Sequence, residues 1–154
     1  VGSMKQMSFM ALIGCSVLLA GCASQSEVVF CPTISAPEEG ARSFVRSDNT
    51  KQIFDIRLNG VNAVCTQHNS GGTMVALSVG LKIKRSLAEG KANDVIAVPM
   101  MSAIVDANQT VIDNQEFGYR VGFDKGSDRK FPVAEIEQLV PADARLVISL
   151  RPAY

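Results

Sequence analysis

The chain has 154 residues, with 15 basic against 15 acidic residues, one histidine and 47% hydrophobic content. Such a balance provides no overall electrostatic footprint for nucleic acid or an anionic lipid surface, and a single histidine excludes a histidine-built metal cluster. The length fits one domain with enough surface to bury a core.

Met4 to Cys22 has the parts of an export signal. Lys5 is followed by an apolar core from Phe9 to Ala20, interrupted mildly by Gly14, Cys15 and Ser16. That core suits a signal h-region and is too short for a membrane-spanning helix, which takes roughly 20 apolar residues. It also lacks the polar stripe, at 3.6-residue spacing, of a helix packed into a globular core. Val1-Gly2-Ser3 ahead of Met4 reads as an expression remnant or a misplaced start. Leu18-Leu19-Ala20-Gly21-Cys22 resembles the lipobox of bacterial lipoproteins. The resemblance implies a diacylglyceryl group on the Cys22 thiol, cleavage after Gly21 and acylation of the new amino terminus. Leu12-Ile13-Gly14-Cys15 is a weaker match that leaves too short an apolar region. By lipoprotein sorting, Ala23 and Ser24 in place of an aspartate imply the outer membrane, with the protein facing the periplasm. The expected division is 1–21 as remnant and signal segment, 22–30 as lipidated cysteine and tether, and 31–154 as the folded domain.

Once Lys5 leaves with the leader, 14 basic residues face 15 acidic ones. Cys15 leaves as well and Cys22 carries lipid, so Cys31 and Cys65 remain as a pair, which in an oxidising compartment reads as one disulfide. The alternative, two metal-binding or redox thiols, lacks a C-x-x-C spacing and further ligands. A disulfide at Cys31 would leave a tether of at most about 30 Å between lipid and fold.

From Pro32 to Lys51 the prolines, Gly40 and polar residues predict loop, with one short element around Phe44 and Val45. Phe54, Ile56 and Leu58 then alternate with Asp55 and Arg57. Asn59-Gly60 supplies hairpin-turn chemistry into a second strand, Val61 to Cys65. His68 to Gly72 is another turn. Val75, Leu77, Val79, Leu81 and Ile83 hold a strict period of two, and Lys82, Lys84 and Arg85 mark the exposed end of that strand. After a loop from Ser86 to Asn93, an apolar run extends from Asp94 to Val105, where Pro99 suggests an edge or a bulge.

Asp106 to Gln109 predicts a turn. Thr110 to Ile112 follows, and Phe117, Tyr119, Val121 and Phe123 form one face of the next strand. Asp124 to Lys130 is a charged turn. Phe131 to Val140 is open between helix, by the spacing of Val133, Ile136 and Leu139, and strand, by its surroundings. Leu146, Ile148 and Leu150 alternate in the last strand. About seven short strands, each with one period-two apolar face, predict an all-β fold: a two-sheet antiparallel sandwich, immunoglobulin-like though lacking tryptophan, preceded by a helical signal segment and a tether.

Cys31-Pro32 soon after the lipobox cysteine, Cys65 ending an early strand, Val105-Asp106 before Val111-Ile112 and Phe117, and Glu135-Ile136-Glu137-Gln138 ahead of Pro141 together resemble a family of small alphaproteobacterial outer-membrane lipoproteins. The likeness covers nearly the whole mature chain. It implies location and architecture and assigns no activity. The chain departs from the family at Gln109, where a glycine is expected.

Chemistry-bearing patterns are sparse. No G-x-S-x-G, P-loop or G-x-G-x-x-G pattern is present, and no cofactor or metal is implied. Glu135 and Glu137 would share a strand face, suited to acid and base work on an envelope polymer or simply solvated. Asp124 and Asp128 flank Gly126 without matching a calcium loop. His68 sits in turn chemistry, and pairing it with Cys65 as a nucleophile would need a reduced thiol. Pro99, Met100 and Met101 read either as a partner-binding edge or as core filling. The leading expectation is a non-catalytic binding or structural module, held to the membrane through lipid and docking onto another envelope protein, with no nucleic-acid partner. The alternatives are an enzyme using Glu135, Glu137 or Asp124, and a carrier of a small apolar ligand between the sheets.

Overall fold

The long period-two runs fold as strands in the computed structural model, which describes residues 26–86 and 92–151. The leader and Cys22 lie outside those residues. Among the described residues no helix is long and apolar enough to cross a membrane. In chain order the strands are β1 (Ile34–Ser35), β2 (Arg42–Arg46), β3 (Ile53–Gln67), β4 (Thr73–Lys84), β5 (Asp94–Val105), β6 (Val111–Phe123), β7 (Arg129–Lys130), β8 (Val133–Val140) and β9 (Arg145–Leu150), with one 3-10 turn at Glu38–Gly40. They form two sheets, one ordered β1-β9-β5-β6 and the other β2-β3-β4 with β7 and β8 both beside β4. The chain is thus the two-layer sandwich that its alternation predicts. Every pairing is antiparallel except the short β1–β9 pair, which is parallel.

The core lies between the layers. Val75, Leu77, Val79, Leu81 and Ile83 from β4 are fully buried and meet Val98, Met100, Leu146, Ile148 and Leu150 from the other sheet. Each such side chain contributes roughly 1.5–3 kcal/mol by leaving water. Phe54 and Phe123 close one end of this core, tilted against each other at 5.0 Å between ring centres. Phe131 to Val140, open in sequence, resolves as a strand from Val133. Its inward positions are Ala134, Ile136, Gln138 and Val140, a period of two, whereas the apolar helical spacing would have turned Val133 and Leu139 inward; both are exposed.

Asn59-Gly60 makes no hairpin. β3 runs unbroken through it, and the register steps from Leu58 opposite Leu81 to Val61 opposite Val79, so one extra residue sits in β3 as a bulge. Gly60 takes φ 106°, a left-handed conformation that glycine adopts without a Cβ clash. Gly80 lies across from it, where a Cβ would come within 2.9 Å of the Asn59 carbonyl oxygen. The bulge also switches parity. Even-numbered residues face the core before it (Phe54, Ile56), and odd-numbered ones face it afterwards (Ala63, Cys65). The shift in alternation that resembled two strands is one strand changing phase.

Pro99 is neither a bulge nor an open edge along the residues that follow it. From Met100 onward β5 is flanked by β9 on one side and β6 on the other. Continuing the β5–β9 register by one step sets Pro99 opposite Arg151. The Pro99 carbonyl accepts the Arg151 N–H at 2.9 Å. Proline has no N–H to return, and the Arg151 carbonyl instead accepts the Ser43 hydroxyl from the other sheet at 2.6 Å.

Candidate docking surface

The chain before β2 acts as a strap. Glu27 accepts the Gln67 N–H at 2.9 Å, Val29 donates to the Cys65 carbonyl at 2.9 Å, and Val28 bridges to Thr66. These bonds lay residues 27–29 along the end of β3 that β2 leaves open. Cys31 is bonded to Cys65 as a disulfide, and the chain then crosses to the other sheet as β1.

The opposite end of β3 and β4 is built from polar groups. Arg85 continues the inward parity of Leu81 and Ile83 and is only 2% exposed, so it does not mark an exposed end as the sequence pattern suggested. Its guanidinium donates to the carbonyls of Ser127 (2.6 Å), Ala92 (2.9 Å) and Asp124 (2.8 Å), and it lies 5.3 Å from the centre of the Phe123 ring. One cation thereby gathers the β4–β5 and β6–β7 connections. Asp94, the first inward position of β5, is also buried and accepts hydrogen bonds from the Ser47 hydroxyl (2.6 Å), the Thr50 hydroxyl and the Val95 N–H (2.8 Å). Burial pushes the Asp94 carboxyl up. The hydrogen bonds from Ser47, Thr50 and Val95, together with the charge of Arg85, outweigh that push and leave it below its ordinary value.

Over this end the outward face of the sheet is strongly basic. Register aligns Arg42, Arg57 and Lys82 in one cross-strand row, and Phe44, Asp55, Lys84 and Arg129 in the next. Arg46 follows, paired with Ile53. All six cations are exposed; Asp55 lies among them, and Asp128 stands at the margin beside Lys84. Arg42 binds Asp55 in a bidentate pair, both contacts 2.9 Å, and stacks at 4.7 Å from the centre of the Phe44 ring; Arg57 reaches Asp55 at 3.2 Å. The hydrogen bond from Arg42 is the main reason that the Asp55 carboxyl is held below its usual range. Among the described residues Lys82, Lys84 and Arg129 have no carboxylate partner. Arg57, Lys82, Lys84, Arg129 and Asp55 line a shallow hollow of about 180 Å³, and beside it Phe44, Ile53 and Lys84, with the carboxylates of Asp55 and Asp128, border another of about 510 Å³. A chain neutral overall therefore carries a segregated positive face, which composition alone hides.

The residues singled out from sequence are scattered. Cys31 and Cys65 are joined. Met100 is 1% exposed and belongs to the core, Met101 is flanked by strands on both sides, and only Pro99 stands at the end of a ladder. The partner-binding edge expected at these three residues is closed along Met100 and Met101. Glu135 and Glu137 lie on the exposed face of β8, where Glu135 accepts the Ser78 hydroxyl at 2.9 Å. Asp124 pairs loosely with Lys130 at 3.7 Å, Asp128 borders the larger hollow, and His68 is tied to Ser70 at 2.7 Å within its turn. No group of three acidic, cysteine or histidine side chains poised for a metal occurs among the described residues.

Fold and surface together define a cystine-closed β-sandwich with one basic, partly apolar sheet face. No protein-family model, curated protein or solved structure matches the chain.

Proposed function

We propose that this protein is an outer-membrane lipoprotein of the alphaproteobacterial type, lipidated at Cys22, whose sandwich faces the periplasm and docks onto another envelope protein without catalysing a reaction. The observation that carries the reading is the strap. Glu27 is already hydrogen-bonded to β3, so only residues 23–26 separate Cys22 from the fold, a reach of at most about 18 Å. A domain fastened so near its lipid is suited to meeting partners at a fixed height above the bilayer. Two or three acyl chains, each buried methylene contributing about 0.8 kcal/mol, hold such an anchor where one chain is marginal.

The test is membrane fractionation of expressing cells, followed by mass spectrometry of the amino-terminal peptide and gentle-detergent co-purification. The expected result is a membrane-bound chain beginning at acylated Cys22 with a stoichiometric envelope protein attached, and release or misprocessing of the Cys22→Ser variant. A chain that keeps its leader, lacks fatty acyl mass and washes off in buffer contradicts the anchor. Recovery as a lone monomer contradicts the docking.

A further inference from the structure

We propose that the basic face of β2, β3, β4 and β7 binds an extended acidic segment of a partner protein whose sheet-facing side chains, every second residue, are carboxylates over the lysines and apolar groups over Phe44 and Ile53. This deepens the docking reading and rests on it. The face has two kinds of unmatched surface side by side. Lys82, Lys84 and Arg129 present positive charge without a carboxylate partner among the described residues, and Phe44 and Ile53 stand 44% and 53% exposed. Phe44 opposes Asp55, two residues from Ile53, so the two apolar side chains are diagonal neighbours on one face. Arg42 stacks on the Phe44 ring and holds it against the sheet.

Spacing decides the shape of the occupant. Cations on neighbouring strands are about 4.8 Å apart, and Lys82 and Lys84 are about 6.6 Å apart along β4. An extended peptide repeats its side chains on each face at the same interval of about 6.6–6.8 Å. Carboxylates at every second residue therefore match the lysine spacing, and because only every second side chain faces the sheet, apolar residues in that same register reach Phe44 and Ile53 where the segment crosses them. A structureless polyanion leaves those two side chains facing water and meets Asp55 among the cations. Arginine and aromatic groups clustered with apolar neighbours are the composition of protein interfaces.

Position argues against the anchoring bilayer as the occupant. Lys82 is seven residues along β4 from Val75, the partner of Cys65, which places the basic rows roughly 23 Å from the strap. The face lies at the end of the body remote from the tether.

Fluorescence anisotropy with the full chain in mild detergent tests the proposal, the probe being a fluorescein-labelled decapeptide in which every second residue is serine and the residues between run Glu-Glu-Glu-Leu-Leu. Saturable binding is expected, at least tenfold weaker for Lys82→Glu with Lys84→Glu and for Arg129→Glu with Lys84→Glu, about three- to tenfold weaker for Ile53→Ser, and unchanged for Glu135→Gln with Glu137→Gln. The same peptide with glutamine for glutamate should not compete, and polyglutamate or phosphatidylglycerol mixed micelles should compete at least tenfold less well. Absent binding, binding indifferent to the lysine substitutions, or equal competition by polyglutamate or phosphatidylglycerol micelles overturns the proposal. A chain that retains a stoichiometric envelope partner yet ignores the peptide sinks this inference and leaves the docking reading standing. A chain that binds the peptide but is neither acylated nor partnered does the reverse.

Discussion

The two ends of the β3–β4 pair are held by opposite means. At the strap end, a covalent bond from Cys31 to Cys65 and the backbone bonds of residues 27–29 fasten an irregular segment to an otherwise open strand edge. At the basic end, no covalent link is present among the described residues, and buried Arg85 and Asp94 gather three connections through hydrogen bonds. The strap end is thus closed covalently and through main-chain bonds. The other end is polar inside and charged outside, held by side-chain hydrogen bonds that leave its outward face exposed.

Several substitutions should separate these two designs. The largest effect is expected from Cys31→Ala with Cys65→Ala, about 3–4 kcal/mol in denaturant unfolding for a loop spanning 34 residues. Reductant should lower the unmodified chain by a similar amount and leave the double variant unmoved. Next comes Arg85→Met, which strands three buried carbonyls and should cost about 3 kcal/mol by the same measurement. Lys82→Met, three residues earlier on the outward face, should cost less than about 0.5 kcal/mol. Equal costs at the two positions would deny Arg85 its clamping role.

Asp94→Asn is expected to cost about 1–2 kcal/mol at neutral pH. Because the folded carboxyl titrates below the unfolded one, the stability it contributes is fully present above the unfolded value of about 3.9 and is lost as pH falls through the folded value. Unfolding followed between pH 6 and pH 2 should therefore show a steeper acid-side loss for the unmodified chain than for the variant. The smallest effect is a gain. Gln109 holds φ 64° in the β5–β6 turn, so Gln109→Gly should relieve left-handed strain and stabilise by about 0.5 kcal/mol, less what the exposed bond from Arg145 to Gln109 contributes.

Much of this architecture was legible in the chain. The parity of Val75 to Ile83 and the Asp106 turn follow from periods and residue chemistry, and the pairing of Cys31 with Cys65 from assigning Cys15 to a leader and Cys22 to lipid. Asp106 does cap its turn, accepting the N–H groups of Asn108 and Thr110 at 2.8 Å, and Gln109 closes it in the left-handed region. Asn59-Gly60 misled because a glycine with positive φ serves a hairpin and a bulge equally, and only the partner strand distinguishes them. Arg85 was hidden by residue type. Its odd number put it in phase with Ile83, and the carbonyls that make its burial tolerable come from remote segments. The basic face was hidden for the opposite reason: Arg42, Arg57, Lys82 and Arg129 are far apart in sequence and become neighbours only through register.

The central claim is that lipid and recognition lie at opposite ends of one body, and a distance measurement reaches it most directly. The acylated chain, reconstituted in vesicles with a headgroup acceptor dye, would carry a donor at Asn69 in the β3–β4 turn or at Arg46 beside Ile53. β3 separates these positions by roughly 45 Å. The expected result is energy transfer several-fold stronger from Asn69 than from Arg46; equal transfer, or stronger transfer from Arg46, would contradict the claim.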